Sequence, residues 1–322
     1  MAKYGGSSFS VLLLDGYDLL AAKLKGFTHK IESKLEPTTG LGDSWEAHTP
    51  TGMRSASLTQ DGAFFDDATT GMHAVLNASQ ATSRVMVFAY AGNTIGRPFV
   101  GTQGVYGMSY DVLGSVGELT KANVSYQVSG AVDRGVILQE LEAKTIDWNT
   151  KTGAESVDYT TQPQRVVPIT SNTQASPTVI TTTVPHGYTS GDIVLIAANT
   201  GSNASINGQQ TITVISTTTF SVAVNCTVAG GTGGTVVRAN SASGGVGYLA
   251  VSAASGFTNF VGKIRDSADD TTYADLIAFT DNVTAPYAER IEVSGTVDRY
   301  LSFDGNVTGS GSITAFCGFS RS

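Results

Sequence analysis

Paired carboxylates are the residues of this chain whose types and spacing could do chemistry. Asp66 and Asp67 are adjacent, as are Asp269 and Asp270, and glycosidases work with two carboxylates that flank one bond. Adjacent residues of a strand point to opposite faces, so neither pair offers two convergent carboxyl groups. We interpret the first pair as the acidic start of a helix and the second as part of a turn. A cell-wall glycosidase is therefore the least favoured function.

Histidine offers no pattern for a metal site or an activated nucleophile. The four histidines are widely separated, and none has a partner at the spacing of metal ligands or of a nucleophile and its base. The glycine runs GGTGG and GGVG are not followed by helical sequence, so they are not phosphate-binding loops. The sequence predicts no enzyme, with no catalytic residue, metal or cofactor. The histidines are His29, His48, His73 and His186.

Two further features have a structural interpretation. Cys226 and Cys317 have no metal-ligand spacing, so we expect two small core residues and no disulfide framework. The acidic segment DSADDTTYAD at 266–275 lacks the Asp-x-Asp-x-Asp-Gly order and the final Glu of a helical calcium loop. It is predicted to be a turn.

Composition restricts the fold and the partners. The 322 residues include 37 glycines and only 14% charged residues, which predicts many short strands joined by tight turns and an all-β fold. The net charge of −8 argues against a protein that grips DNA through its phosphates. No apolar stretch reaches the roughly 18 to 20 residues of a membrane helix, and the polar start MAKYGGSSFS lacks the apolar core of a signal peptide. We expect a protein made in a cytoplasm without a membrane span.

A seven-residue phrase occurs twice, as VSGAVDR at 128–134 and VSGTVDR at 293–299. Both copies alternate in the two-residue period of a half-buried strand, so we predict a strand in each. Within such strands, Asp133 and Arg134, and likewise Asp298 and Arg299, would point to opposite faces. They are either solvated residues at a strand edge or charged contacts with a neighbouring subunit.

The first part of the chain, 1–165, reads as one β domain. An apolar strand ends at an Asp-Gly turn, 17–25 fits a helix or a strand equally, and 84–91 is apolar enough to be buried on both faces. One helix is expected after Asp67, with Met72, Val75, Leu76 and Ala78 on its apolar face. The predicted strands of this domain are 8–16, 27–35, 53–65, 84–91, 100–113, 118–128 and 131–141.

The composition changes in the middle of the chain. Between 166 and 237 the only charged residue is Asp192, so 166–240 is predicted to be an inserted Thr/Ser-rich module, a small barrel-like unit of three or four strands. The last part, 241–322, is predicted to be a smaller Ig-like β-sandwich. Its predicted strands are 246–252, 260–266, 276–279, 288–293, 299–303 and 312–319.

Several phrases resemble the tail tube proteins of long-tailed, siphovirus-type bacteriophages. The segment from LLLDGYDLL to GMRSASLTQDGAFFD has that family's D-G-x-D-L start, T-x-G-x-G-D loop and G-x-R-x-x-S-L hairpin return. GELTKANVSYQVSGAVDRGV is similar to its closing strand pair. KIRDSADDTTYADL and ERIEVSGTVDRYLSF resemble the β-sandwich that follows the tube domain in many of these proteins. The resemblance covers about 1–160 and 243–322, whereas the middle module resembles small β modules inserted into various phage structural proteins.

The resemblance implies a major tail protein of the virion, assembled in the host bacterial cytoplasm. Such subunits form rings, as a hexamer or as a trimer with pseudo-six-fold symmetry, that stack into a tube and contact other tail proteins. An acidic bore would let DNA pass without sticking during ejection. The alternative is a capsid decoration or receptor-binding protein with an adhesive middle module. The candidate inter-subunit contacts are Trp45, Arg54, Asp133, Arg134, Asp298 and Arg299.

Overall fold

The computed structural model confirms an all-β protein with one short α-helix. It describes residues 8–22, 24–39, 44–64, 72–78, 82–145, 156–161, 166–200, 204–228, 231–240 and 243–322. No helix among these residues is long and apolar enough to cross a membrane.

Before the middle module, the described residues form nine strands and the helix. The strands are β1 (Val11–Leu14), β2 (Tyr17–Asp18), β3 (Gly26–Pro37), β4 (His48–Phe64), β5 (Arg84–Ala89), β6 (Pro98–Leu113), β7 (Lys121–Val128), β8 (Val132–Lys144) and β9 (Val157–Asp158). The helix α1 (Met72–Ala78) lies between β4 and β5, and the ambiguous segment 17–25 contains both β2 and a 3-10 helix, Leu19–Ala22.

The middle module is a closed six-stranded barrel, not a unit of three or four strands. The barrel order is β10-β11-β14-β13-β12-β15. Strands with alternating buried and exposed residues enclose one core around Phe220, which is fully buried. The strands are β10 (Val167–Asn172), β11 (Thr178–Thr182), β12 (Ile193–Ala197), β13 (Gly208–Val214), β14 (Thr219–Val222) and β15 (Thr235–Asn240).

The last part of the chain contains two very long strands. Four of the six predicted strands merge in pairs, because bulges let one strand bend without ending. The ladder between the two long strands runs from the pair of Gly245 with Arg321 to the pair of Ser267 with Tyr300. The strands are β16 (Gly245–Ser267), β17 (Ala274–Ala278), β18 (Tyr287–Val293) and β19 (Tyr300–Arg321).

The first and last parts of the chain share one sheet. Its main path is β17-β16-β19-β8-β6-β5-β1-β2, with β7, β4 and β3 branching from β6. The link is β19, which pairs with β8 through contacts such as Phe319 with Val136. The division into domains at 165 and 240 stays a prediction, but the hydrogen-bonded sheet continues from β8 into the C-terminal strands.

Strands β1 and β5 are buried on both faces, as their apolar sequences predict. In β1, Leu12 and Leu14 face a core that also contains Met72 and Leu76 of helix α1. The alternate residues Val11 and Leu13 face a second core. The predicted apolar face of the helix is confirmed for the described side chains, whereas its predicted start at Asp66 and Asp67 lies outside the described residues.

The Asp-Gly turn after β1 forms as predicted. Asp15 and Gly16 both have positive φ, 48° and 84°, which suits the tight turn between two antiparallel strands. A Cβ on Gly16 would lie 2.3 Å from the carbonyl oxygen of Val251. Only glycine therefore allows this turn to pack against β16.

The repeated phrase forms a strand in one copy only. In the first copy, β7 ends at Val128, the chain turns at Gly130, and β8 begins at Val132. In the second copy, β18 ends at Val293 and β19 begins at Tyr300, so 294–299 forms a connection with one isolated bridge. The prediction of a strand through Asp298 and Arg299 is wrong. The same Ser-Gly step forms a short hairpin turn in the first copy and begins a longer connection in the second, so the phrase alone does not predict where the next strand starts.

Candidate functional site

An arm made of the β3–β4 hairpin projects from the sheet. We call residues 30–55 the arm. Every described residue of the arm is exposed, and β4 acquires its second neighbour, β7, only from Ala56 onward. The two strands pair from Gly26 with Asp61 to Pro37 with His48. A two-stranded hairpin with no packed face is only marginally stable in water. The arm therefore exposes backbone edges and side chains on both faces.

The exposed side chains of the arm are partly charged and partly apolar. One face carries ion pairs along β3, Lys30 to Glu32 and Lys34 to Glu36, each 2.7 Å between nitrogen and oxygen. Alternating charge of this kind discourages unspecific pairing of exposed strands. Apolar side chains are also exposed, and Trp45 near the end of the arm is the most prominent at 85% exposure. The other exposed apolar residues of the arm are Ile31, Leu35 and Met53.

A second set of exposed apolar side chains lies on the turn between β6 and β7. We call residues 108–121 the tip. All residues from 111 to 120 are exposed, and Val116 at the turn is fully exposed. Lys121 and Glu118 form an ion pair at 3.0 Å beside it. The exposed apolar residues of the tip are Met108, Val112, Leu113, Val116 and Leu119.

The arm and the tip lie at opposite ends of the same three strands. Ala56, where the arm leaves the sheet, pairs with Val128 of β7. The tip joins β6 to β7 at the pair of Leu113 with Lys121. Seven residues of β7 separate these two levels, about 23 Å at ~3.3 Å per residue. The molecule thus presents apolar surface at both ends of one rigid stretch of sheet.

The predicted contact residues separate into exposed and internally bonded side chains. Trp45, Arg54 and Arg134 are exposed, and the last two line one hollow of about 460 Å³ at the base of the arm. No hydrogen bond or ion pair of the Arg134 guanidinium is found among the described residues. The inter-subunit role of these residues stays a prediction.

Asp133 lies beside Arg134 in sequence but is bonded inside the protein. Its carboxylate accepts a hydrogen bond from the hydroxyl of Tyr248 at 2.5 Å and another from Arg290 at 3.0 Å. Arg290 also bonds Glu292 at 2.6 Å. Burial, and then the hydrogen bond to Asp133, raises the pKa of Tyr248 well above its ordinary value. This network joins β8 to β16 and β18.

The second copy of the phrase is bonded internally through both charged residues. Arg299 donates two hydrogen bonds to Asp158, at 2.9 and 2.6 Å, in the bidentate geometry that guanidinium and carboxylate favour. Burial opposes the charge of Asp158, but the hydrogen bonds from Arg299 and Thr160 outweigh it and lower the Asp158 pKa. Asp298 accepts a hydrogen bond from Asn240 at 2.8 Å. The connection thus joins β9, the barrel and β19.

The histidine and aspartate side chains considered above for chemistry form hydrogen bonds that hold the local backbone. His186 donates from Nε2 to the carbonyl of Ser216 and accepts the Tyr188 amide at Nδ1. Asp269 accepts the amides of Thr271 and Thr272 in a turn, as predicted. These amide bonds strongly lower the Asp269 pKa. Over the described ranges, no three metal-ligating side chains come together.

The two cysteines are buried and unpaired, as predicted. His73 contacts Tyr110, with 2.7 Å between Nδ1 and the hydroxyl oxygen. The apolar tip was not predicted, although the apolar residues around GSVGEL were a visible signal in a turn. The partners of Arg299 and Arg290 had no local signal, because Asp158 and Asp133 lie 141 and 157 positions away.

Comparisons with known proteins give weak structural likenesses. No family model and no curated protein matches the chain. It is similar to a chain in the tail of an empty gene transfer agent particle refined with C6 symmetry, with a TM-score of 0.31 and 17% identity over 40% of this chain and 97% of that one. It is also similar to a chain in the native gene transfer agent virion, with a TM-score of 0.30 and 20% identity over 40% of this chain and 97% of that one.

A third likeness covers more of the chain. The crystal structure of the Dit protein of SPP1, described as a paradigm of the hub adsorption apparatus in phages that infect Gram-positive bacteria, has a TM-score of 0.27 and 10% identity. It covers 96% of this chain and 98% of that chain.

Proposed function

We propose that this protein is a structural subunit of a phage tail that assembles with copies of itself into stacked rings, through whose bore DNA passes. The proposal rests on one observation: the arm and the tip expose apolar side chains at opposite ends of the same three strands. Exposed apolar clusters on a soluble chain mark interaction surfaces. The acidic composition and the tail-tube-like phrases of the sequence support the same function, which requires no catalysis.

The position of the two surfaces determines the kind of assembly. If the arm of one subunit binds the tip of the next, the contact is between different surfaces, and such contacts generate rings or filaments. A contact between two arms would stop at a dimer. We therefore infer that the arm of one copy packs on the tip of its neighbour, and that the apolar residues of both become buried there.

A complementation experiment tests this arrangement. Trp45→Asp damages the arm and Val116→Asp damages the tip, and both side chains are so exposed that neither change should affect folding. Each variant alone should remain monomeric, because every contact needs one intact arm and one intact tip. A mixture of the two should form one-to-one dimers and nothing longer. Sedimentation velocity measures the species, and electron microscopy shows the wild-type rings or tubes and their rotational symmetry.

The control is Ile215→Asp, which places the same charge at a 58% exposed apolar residue of the barrel. This variant should assemble like the wild type. If the tip variant alone still forms dimers, the contact joins two arms and the arrangement is wrong. A wild-type protein that remains monomeric when the initiating complex of a tail is present contradicts the tail-tube function itself.

The second candidate function is host attachment by the barrel in a decoration or receptor-binding protein. It is favoured by the closure of the barrel, since none of β10 to β15 completes the sheet of the rest of the molecule. Removing 166–240 from the virion protein discriminates between the two. Normal tails that no longer attach favour adhesion, whereas loss of the tails shows that the barrel is needed for assembly.

A further inference from the structure

A cleft of about 590 Å³ lies between the barrel and the sheet. The barrel contributes Tyr188 and Arg238, and the sheet side contributes Tyr90, Arg134 and Arg321. The volume is in the range of pockets that hold small molecules, roughly 300–1,000 Å³. We call this space the Arg–Tyr cleft. It is distinct from the apolar surfaces of the arm and the tip.

Arginine side chains are concentrated around the Arg–Tyr cleft of this acidic protein. Three arginines line it, and none of the described residues lining it is Asp or Glu. The chain as a whole carries a formal net charge of −8. Charges of one sign in a concave site focus their field and attract the opposite charge. The cleft therefore favours an anion over a neutral or cationic molecule.

Two of the three arginines hold the walls of the cleft together. Arg238 contacts Asp192 at 3.0 Å and donates to the carbonyl of Gly187 at 3.0 Å. Arg321 donates to the carbonyls of Ala239 and Asp298 and lies over the ring of Tyr159. Burial, with the field of Arg238 adding to it, lowers the pKa of Arg321 to about 10. Arg321 thus remains charged at neutral pH.

The third arginine, Arg134, has its donors open. Arg134 is an exposed residue, and its neighbour Asp133 is bonded to Tyr248 and Arg290 instead. An arginine presents its donors in a planar fork that fits a carboxylate or a phosphate with two parallel hydrogen bonds. Arg134 can make those bonds without breaking any described contact.

Tyrosine rings provide a surface for the rest of a ligand. Tyr90 is 42% exposed at the edge of the cleft, and no hydrogen bond or ring contact of its side chain is found in the described parts of the chain. Tyr188 is half-buried on the opposite wall and anchored by a hydrogen bond from its hydroxyl to the carbonyl of Val236 at 3.1 Å. Aromatic side chains of this kind pack against flat or ring-shaped groups.

We propose that the Arg–Tyr cleft binds a sugar-sized molecule that carries a carboxylate or a phosphate. Arg134 contacts the oxyanion, the charge of Arg321 supports it, and the ring of the ligand lies against Tyr90. This inference does not depend on the assembly proposed above, because the cleft belongs to a single chain.

Calorimetric titration of the unassembled full chain tests the cleft with four probes. They are glucuronate, glucose 6-phosphate, inorganic phosphate and neutral glucose. We expect saturable binding of at least one charged sugar with Kd below about 1 mM and no binding of glucose. Glucuronate alone would identify a carboxylate ligand, and glucose 6-phosphate alone a phosphate ligand.

Two variants assign the contacts. Arg134→Ala should weaken binding of the charged sugar at least tenfold, since a charge-assisted hydrogen bond contributes about 1.5–3 kcal/mol. Tyr90→Ala should weaken the charged sugar but leave inorganic phosphate unchanged. Lys30→Ala is the matched control, because it removes one exposed positive charge on the arm, and it should bind as the wild type does.

The opposite results overturn the proposal. One is that neither charged sugar binds saturably up to about 10 mM, a concentration that corresponds to a binding free energy of about 2.7 kcal/mol. The other is that glucose binds as tightly as the charged sugars. Equal losses in Arg134→Ala and Lys30→Ala would show unspecific attraction. Thermal unfolding of each variant without ligand confirms that the Arg134→Ala chain is folded, so that a loss of binding is not a loss of structure.

Discussion

The two copies of the V-S-G-x-V-D-R phrase have nearly the same sequence and different structural roles. In the first copy, Asp133 is bonded inside the protein and Arg134 is exposed. In the second copy, both charges are used internally, and Arg299 holds Asp158 of β9 in a bidentate pair. Sequence identity therefore does not imply equivalent contacts, because the surrounding elements decide what each side chain meets.

The largest expected difference between the copies is at their arginines. Arg299→Leu leaves the half-buried Asp158 without its cation, and breaking such a pair should reduce the free energy of unfolding by about 2–3 kcal/mol. Arg134→Leu is the matched change in the first copy and should alter it by less than about 0.5 kcal/mol. Urea unfolding measures both. Equal losses would contradict the assignment of different roles.

The aspartate of the first copy is expected to have the next largest effect. Asp133→Asn keeps the shape of the side chain but removes the charge that faces Arg290, so we expect a loss of about 1–2 kcal/mol. Asp111→Asn is the control, since it makes the same change at an exposed residue of β6. An unchanged unfolding curve for Asp133→Asn would show that Glu292 alone is sufficient for Arg290.

A pH series separates the charge of Asp158 from its packing. Because the Asp158 pKa is lowered in the folded protein, its contribution is fully present above the unfolded pKa of about 3.9 and is lost as the pH falls through the folded value. The wild type should exceed Asp158→Asn by about 1 kcal/mol near neutral pH. This difference should shrink below about pH 4. A difference that is constant down to pH 2 would contradict the charged interaction.

The smallest effect on stability is expected at the ends of the sheet. Val116→Ser on the tip exposes no core and should change the free energy of unfolding by less than about 0.5 kcal/mol. Its effect should be seen in assembly, by sedimentation, where the wild type forms larger species. A large loss of stability would show that the tip packs within the chain.

The fold class was predictable from local sequence, and the site was predictable in part. Alternation predicted the strand starting at Phe27, and the Asp-Gly turn predicted the hairpin after Leu14, because both depend on neighbouring residues. The merging of strands into β16 and β19 was not predictable, since bulges have no clear sequence signal. Nor was the barrel's strand number, because β10, β11 and β15 close the barrel through pairings between distant residues, such as Val167 with Val236.

The charged networks could not be predicted from the sequence either, because their partners are far apart along the chain. Asp158 and Arg299 lie 141 positions apart, and only the pairing of β9 with β19 brings them together. The exposure of Trp45 and Arg54 could be anticipated from their polar, Gly-rich surroundings. The opposite placement of the arm and the tip follows from the register of three strands, which no short motif encodes.

The pairing of β8 with β19 has a consequence for synthesis on the ribosome. β8 ends at Lys144 and β19 begins at Tyr300. At a synthesis rate of roughly 5–20 residues per second, β19 is therefore made on the order of ten to thirty seconds after β8. The barrel, whose strands pair only among themselves, can fold within that interval. The unfinished edge of β8 is then an opening for chaperones or for a premature encounter with another nascent chain.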